Sequence, residues 1–349
     1  MMMMKPSFSK TLPFVVVLLI VLLFCSCTKN SAVSVRSEVF YEYFDTICEI
    51  NSYAGDSEEA FRKNAAEVSD LLGYWHRLLD IYHEYDGMNN LCTVNRNAGG
   101  DPVKVNPELI GFVLYAKDMC ALTEGEMDIS LGAVLSLWHD ARTAEVPYLP
   151  PSSDLDKASL HVGFDLVEID EQACTLRLAD PAASLDPGAL GKGYAAEKAA
   201  QMLIDKGVTS YALNLGGNVR CIGTKADGSH WTTGIKDPDD NTRLAVAVRI
   251  SDCSCVTSGS YERFFEVGGI RYSHIIDKDT LMPATEFPSV SVICTDSALA
   301  DALSTALFCM SYDDGLELVS SLDDVQAIWI SDDGTIRYTK ALESVLTIL

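Results

Sequence analysis

Four stretches of this 349-residue sequence hold residue types at spacings that could do chemistry. Asp301 and Thr305 stand at i and i+4 within Ala298–Phe308, so a helix puts a carboxylate and a hydroxyl on one face of an otherwise apolar rod. A carboxylate there is costly to bury without a cation or donors. Carboxylate, hydroxyl and carbonyl oxygens are what a hard ion such as Mg²⁺ accepts, although an Asp bonded to backbone at a helix edge fits the same pattern. Ser184-Leu185-Asp186-Pro187-Gly188-Ala189-Leu190-Gly191-Lys192-Gly193-Tyr194 sets three glycines and a lysine before a helix, where backbone N–H groups can approach a phosphate. It is not a P-loop, because Asp186 and Gly193 hold the places where that motif needs Gly and Ser/Thr. A purely structural turn into a helix is the competing reading. His274, one of six histidines, lies in Arg271-Tyr272-Ser273-His274-Ile275-Ile276-Asp277 after Val256–Phe265, and is either a general base or a satisfied structural residue. The glycines of Asn214-Leu215-Gly216-Gly217-Asn218 permit close approach of a ligand or of another strand.

Net charge narrows these options. Acidic residues number 50 and basic residues 26, a formal charge of −24. A nucleic-acid binder needs a Lys/Arg surface to displace phosphate counterions, so that class is excluded. A protein this acidic that binds a diphosphate needs backbone amides, an isolated lysine such as Lys192, and a divalent cation between its carboxylates and the ligand. The stretches above supply those parts. Eleven cysteines, an odd number without CxxC pairs, support neither a disulfide framework nor a zinc site.

The elements that must position these residues follow from periodicity. Residues 38–53 are rich in aromatic and β-branched types and read as a strand. Asp56 or Ser57 caps a helix whose apolar positions are Phe61, Ala65, Val68, Leu72, Trp75, Leu79 and Tyr82. Further helices are expected from Asn106-Pro107 to Gly125, from Gly193 to Lys206 with Gly207 as its stop, and from Ser297 to Met310. Strands are expected at 166–178, 210–222, 230–235, 243–250, 262–276, 289–294 and 326–339, the last broken at Ser331-Asp332-Asp333-Gly334. Helices and strands intersperse without regular alternation, which predicts an α+β fold. At 48% hydrophobic residues the chain can fill one large core.

The N-terminus reads as a leader. Lys5 and Lys10 precede an apolar run of 14 residues, Leu12 to Cys25, shorter than the roughly 20 a membrane span requires. Phe24-Cys25-Ser26-Cys27 is similar to a bacterial lipobox. The expectation is a signal peptide over 1–27, lipidation at Cys27, a tether over 28–37 and a domain over 38–349, on the extracytoplasmic face of the cell membrane; ordinary secretion with cleavage nearby is the competing reading.

Over roughly residues 40–345 the sequence resembles the ApbE family of FAD:protein FMN transferases. The motifs run in family order: Phe44-Asp45-Thr46, where the family usually has Met-Gly-Thr; Tyr85 and Asn95; Gly125-Glu126-Met127-Asp128-Ile129 leading to Leu137-Trp138; the 186–194 loop; Asn214–Gly217; Thr257–Arg263; Tyr272–Asp277; and Ala300–Ala306. The resemblance implies a single α+β domain of T-fold-related type with mostly antiparallel sheets. It implies Mg²⁺-dependent transfer of FMN from FAD to a Thr or Ser hydroxyl of a flavoprotein subunit of a membrane redox complex, releasing AMP. Position by position it places the cation on Asp301, Thr305 and the carbonyl of Ala189. FAD falls on Asp186, Lys192, Ile275 and the turn Glu126-Met127-Asp128, with Phe44 and Tyr85 near the rings, and His274 becomes the base. FAD hydrolysis to FMN and AMP, and flavin binding without turnover, are the alternatives.

Overall fold

The structure, a computed structural model, describes residues 35–240 and 242–349; the expected leader and most of the expected tether lie outside the described residues. The folded domain starts earlier than expected, because Arg36 and Ser37 already pair in the first strand.

Eight strands form one antiparallel sheet in the order β1 (Arg36–Phe40), β2 (Cys48–Ser52), β6 (Ser210–Leu215), β7 (Asn218–Gly223), β10 (Ser254–Gly259), β13 (Ser289–Cys294), β14 (Gln326–Ile330) and β15 (Ile336–Tyr338). A small sheet joins β3 (Val103–Lys104), β5 (Thr175–Leu178) and β4 (Val167–Asp170). Another joins β16 (Leu346–Ile348), β9 (Leu244–Ile250) and β8 (Trp231–Lys236), while β11 (Phe264–Val267) and β12 (Ile270–Ser273) form a two-stranded ribbon. The helices are α1 (Glu58–Leu79), α2 (Leu91–Arg96), α3 (Pro107–Leu122), α4 (Gly132–Thr143), α5 (Ser152–Ala158), α6 (Gly191–Asp205), α7 (Ser297–Cys309) and α8 (Tyr312–Ser320).

The large sheet is covered on both faces. Helices α1 and α6 bury Phe61, Leu72, Ala196 and Leu203 with Ile50 and Leu213 of the sheet. Helix α7 adds Leu303 and Phe308 against Val290 and Val292. Trp231, Val246 and Val248 of the β16-β9-β8 sheet pack with Cys255 and Ile328 on the other side. Burial on both faces is why β13 has no exposed position, its serines Ser289 and Ser291 included. The fold is α+β, as the interspersed pattern predicts.

Local rules account for the helix ends. The Ser57 hydroxyl accepts the Ala60 N–H, so Ser57 rather than Asp56 is the cap of α1. Gly125 and Gly207 follow α3 and α6 with left-handed φ. Helix α1 ends at Leu79, short of Tyr82, because Asp80 turns its carboxylate to the N–H groups of Tyr82 and His83. The expected single strand over 38–53 is instead two strands paired as a hairpin, β1 with β2. Phe44 and Asp45 both take left-handed φ, +55° and +49°, and reverse the chain there.

Candidate active site

Helices α6 and α7 cross so closely that only glycine fits between them. A Cβ on Gly193 would lie 2.4 Å from both the Asp301 Cβ and the Ser297 carbonyl oxygen. The Gly193 N–H donates to Asp301 Oδ2 at 2.7 Å. Asp301 is only 4% exposed, and that is its one side-chain hydrogen bond among the described residues, with no cation in ion-pair contact. One turn along α7, Thr305 makes no side-chain hydrogen bond among the described residues and faces the same cavity. A nearly buried carboxylate with one donor, beside an unengaged hydroxyl, fits a hard divalent cation.

The loop before α6 is fixed from several sides. Asn95 donates to the Leu185 carbonyl and accepts the Leu185 N–H, both at 2.9 Å. The Asp186 N–H donates to the Ile129 carbonyl at 2.7 Å, and Asp186 Oδ1 accepts the Gly188 N–H at 2.8 Å. These bonds bring Ala189 and Lys192 to the cavity wall. Burial pushes the Asp186 carboxyl up, and the Gly188 N–H together with the charges of His139, Arg142 and Arg263 pulls it back. The 44–46 loop rests on the Asn214–Gly217 turn, where Gly216 has φ +59° and a Cβ would lie 2.1 Å from Thr46 Oγ1.

His274 follows β12 directly. Its N–H and its Nδ1 both point at the Arg263 carbonyl, at 3.1 and 3.0 Å. A carbonyl only accepts, so Nδ1 carries the proton and Nε2 keeps its lone pair. Burial first, then the positive charges of Lys192, Arg263 and Arg142, pull the imidazole down to about 4 from its ordinary value of 6.5. His274 is therefore neutral at pH 7, the protonation state a base needs. The Arg263 guanidinium also donates to the carbonyls of Phe44 and Asp45, at 3.5 and 3.2 Å, tying the first loop to the start of β11.

These parts converge on one cavity of about 370 Å³. It takes Glu126, Met127, Asp128, Asp186, Ala189, Lys192, His274, Ile275, Asp301 and Thr305 from the residues expected to act. Glu126 pairs with Lys278 at 3.2 Å, and burial raises its carboxyl against that pairing.

Phe44 and Tyr85, expected near the rings, are not among the residues that line this cavity. The left-handed turn aims Phe44 at His76, with ring centroids 5.6 Å apart and its N–H on His76 Nδ1. Tyr85 is drawn away by Asp80, whose Oδ2 accepts its hydroxyl at 2.7 Å. The aromatic wall comes instead from Tyr82, Trp138 and Phe265. Tyr82 stacks on His139, with centroids 5.2 Å apart. His139 and Arg142 had only a weak signal, lying one turn apart just after Leu137-Trp138 on a helix the periodicity did not reveal.

The sequence profile of the ApbE family matches residues 44–329. An FAD:protein FMN transferase of Treponema pallidum (strain Nichols) is 31% identical over 319 residues, covering 87% of each chain. One from Klebsiella pneumoniae (strain 342) is 30% identical over 269 residues, 76% of this chain and 82% of the relative. Among solved structures, the ApbE protein of Thermotoga maritima superposes with a TM-score of 0.80 at 25% identity, covering 89% of this chain and 99% of its own. The apo form of Pseudomonas stutzeri flavinyl transferase ApbE gives 0.75 at 25% identity, covering 89% and 96%.

Proposed function

The chain belongs to the ApbE family and is a flavin transferase, and we propose that it moves FMN from FAD to a Thr or Ser hydroxyl of an acceptor protein, in a Mg²⁺-dependent reaction that releases AMP. One observation carries this reading. A carboxylate nearly buried and without a cationic partner among the described residues, Asp301, and a neutral imidazole with an open Nε2, His274, face the same cavity.

Asp301, Thr305 and the Ala189 carbonyl would hold the cation. Bound there, Mg²⁺ offsets the charge that builds on the diphosphate during attack. Lys192 and Arg142 supply the fixed positive charge that the protein as a whole lacks. His274 Nε2 accepts the proton of the acceptor hydroxyl while Arg263 holds the ring. The hydroxyl oxygen bonds to the FMN phosphorus, and the bond from that phosphorus to the bridging oxygen breaks, so AMP departs with that oxygen. The negative charges of the bound diphosphate raise the basicity of His274 by countering its cationic neighbours.

The acceptor, in the same reading, is a flavoprotein subunit of a membrane redox complex. The enzyme meets it on the extracytoplasmic face of the membrane, anchored through lipidated Cys27. Incubation with FAD, Mg²⁺ and an acceptor should yield a fluorescent band that survives denaturing electrophoresis and disappears in Asp301→Ala. AMP with free FMN in equal amounts, and no band, would assign the site to FAD hydrolysis instead. A stoichiometric yellow protein that never yields AMP would assign it to flavin binding alone.

A further inference from the structure

The ribbon of β11 and β12 pairs with no other strand among the described residues. The bond from the His274 N–H to the Arg263 carbonyl extends its ladder by one pair and sets the alternation. Arg263 with His274, Phe265 with Tyr272 and Val267 with Ile270 are the inward-bonded pairs. The main-chain N–H and C=O groups of Phe264 and Glu266 therefore point out from one edge, and those of Arg271 and Ser273 from the other. None of these groups has a hydrogen-bond partner among the described residues. No strand covers either edge among the described residues; Phe264, Glu266 and Arg271 lie at the surface, whereas Ser273 is buried and lines the cavity. An uncovered edge is a template for another chain.

The ribbon also bears apolar surface. Phe264 is 39% exposed and Ile270 59%, and the Arg271 guanidinium sits 4.1 Å from the centre of the Phe264 ring. Its free end, Gly268-Gly269, has open space around it. Its base is the active site, because the pair that closes the ladder is Arg263 and His274. A strand added to either edge therefore leads to the imidazole.

Resting on the transfer reaction proposed above, we infer that the acceptor is recognised as an extended segment that adds a third strand to this ribbon, with its Thr or Ser at the His274 end and an apolar side chain against Phe264. Main-chain pairing gives the affinity, and the Phe264–Arg271 surface gives the preference. The competing occupant, a second copy of this chain paired edge to edge, would cover the approach to His274.

Proline tests this without touching the cavity. Glu266→Pro and Arg271→Pro each remove an outward N–H and leave the inward ladder bonds intact. The full mature chain is incubated with FAD, Mg²⁺ and an immobilised peptide library carrying a central Thr or Ser. The variant on the edge in use should raise KM for the best peptides by about tenfold with kcat within about twofold, the effect expected when a binding bond remote from the chemistry is lost. FAD binding should not change. Unaltered KM in both variants, or equal loss of FAD binding and transfer, overturns the inference. Hydrogen exchange on the parent chain with the soluble peptide pool decides docking even if a variant does not fold or no covalent label forms: slowed exchange across 264–273 is expected, and none overturns it. A parent that slows exchange but labels no peptide indicts the transfer reading instead. A dimer that Glu266→Pro or Arg271→Pro converts to monomer would assign the edges to self-association and also overturn it.

Discussion

At the scale of single residues, the site is a set of charges each held by one or two local bonds. Asp301→Asn keeps an acceptor for the Gly193 N–H but removes the charge that would attract Mg²⁺. The parent should melt at higher temperature in Mg²⁺ than in EDTA, and in Asp301→Asn that difference should vanish along with flavin transfer. His274→Ala should lower kcat by about 10²–10⁴ with FAD affinity retained, the usual range for a lost general base. The imidazole also makes a pH prediction. Its folded value, about 4, lies below the ordinary 6.5, so between those limits the unfolded chain binds the proton that the native chain refuses. Its stabilising contribution is present above pH 6.5 and is lost as pH falls towards 4. Lys192 is one of the cations that depress it. In Lys192→Met the His274 titration, followed by NMR, should move up towards 6.5; an unmoved titration would mean the two groups do not interact.

Elements explain why such side chains meet at all. Helices α6 and α7 approach through Gly193, and that approach aligns an amide with a carboxylate 108 residues away. Gly193→Ala puts a methyl group where the Asp301 Cβ and a backbone carbonyl already lie. It should cost about 1–3 kcal/mol of stability by overpacking, read by urea denaturation, and should weaken transfer as the two helices separate. The first hairpin stores strain of another kind, two successive left-handed residues, Phe44 and Asp45. Arg263 offsets it by bonding both their carbonyls. Asp45→Gly, the residue type usual in the family, should raise stability by about 0.5–1 kcal/mol, measured in the same way.

For the whole molecule the governing fact is a charge of −24 surrounding a site meant for a dinucleotide diphosphate. Long-range attraction is unavailable, so in the proposed reaction binding would depend on Lys192, Arg142 and Arg263 at contact range and on the cation. FAD affinity should therefore fall steeply with Mg²⁺ removal and change little with moderate salt, because short-range partly buried pairs are screened less than surface fields. The proposed anchor carries its own test. Cys27→Ser should shift the protein from the membrane fraction to the soluble extracytoplasmic fraction; unchanged fractionation would disprove the anchor.

Sequence alone determined whatever repeats within a few residues. The 3.6-residue period marked the apolar face of α1, glycine marked the ends of α3 and α6, and the pairing of Asp301 with Thr305 on one face of the apolar α7 followed from helix geometry. The order of the motifs added which parts belong to one site. Only the tertiary structure decided which aromatic side chains reach the cavity, because Phe44 and Tyr85 are diverted by partners, His76 and Asp80, whose positions no local pattern encodes. It also decided the state of His274. The proton on Nδ1 requires the Arg263 carbonyl, and a value of about 4 requires burial and the cations of distant segments gathered around one ring; only long-range packing can do that.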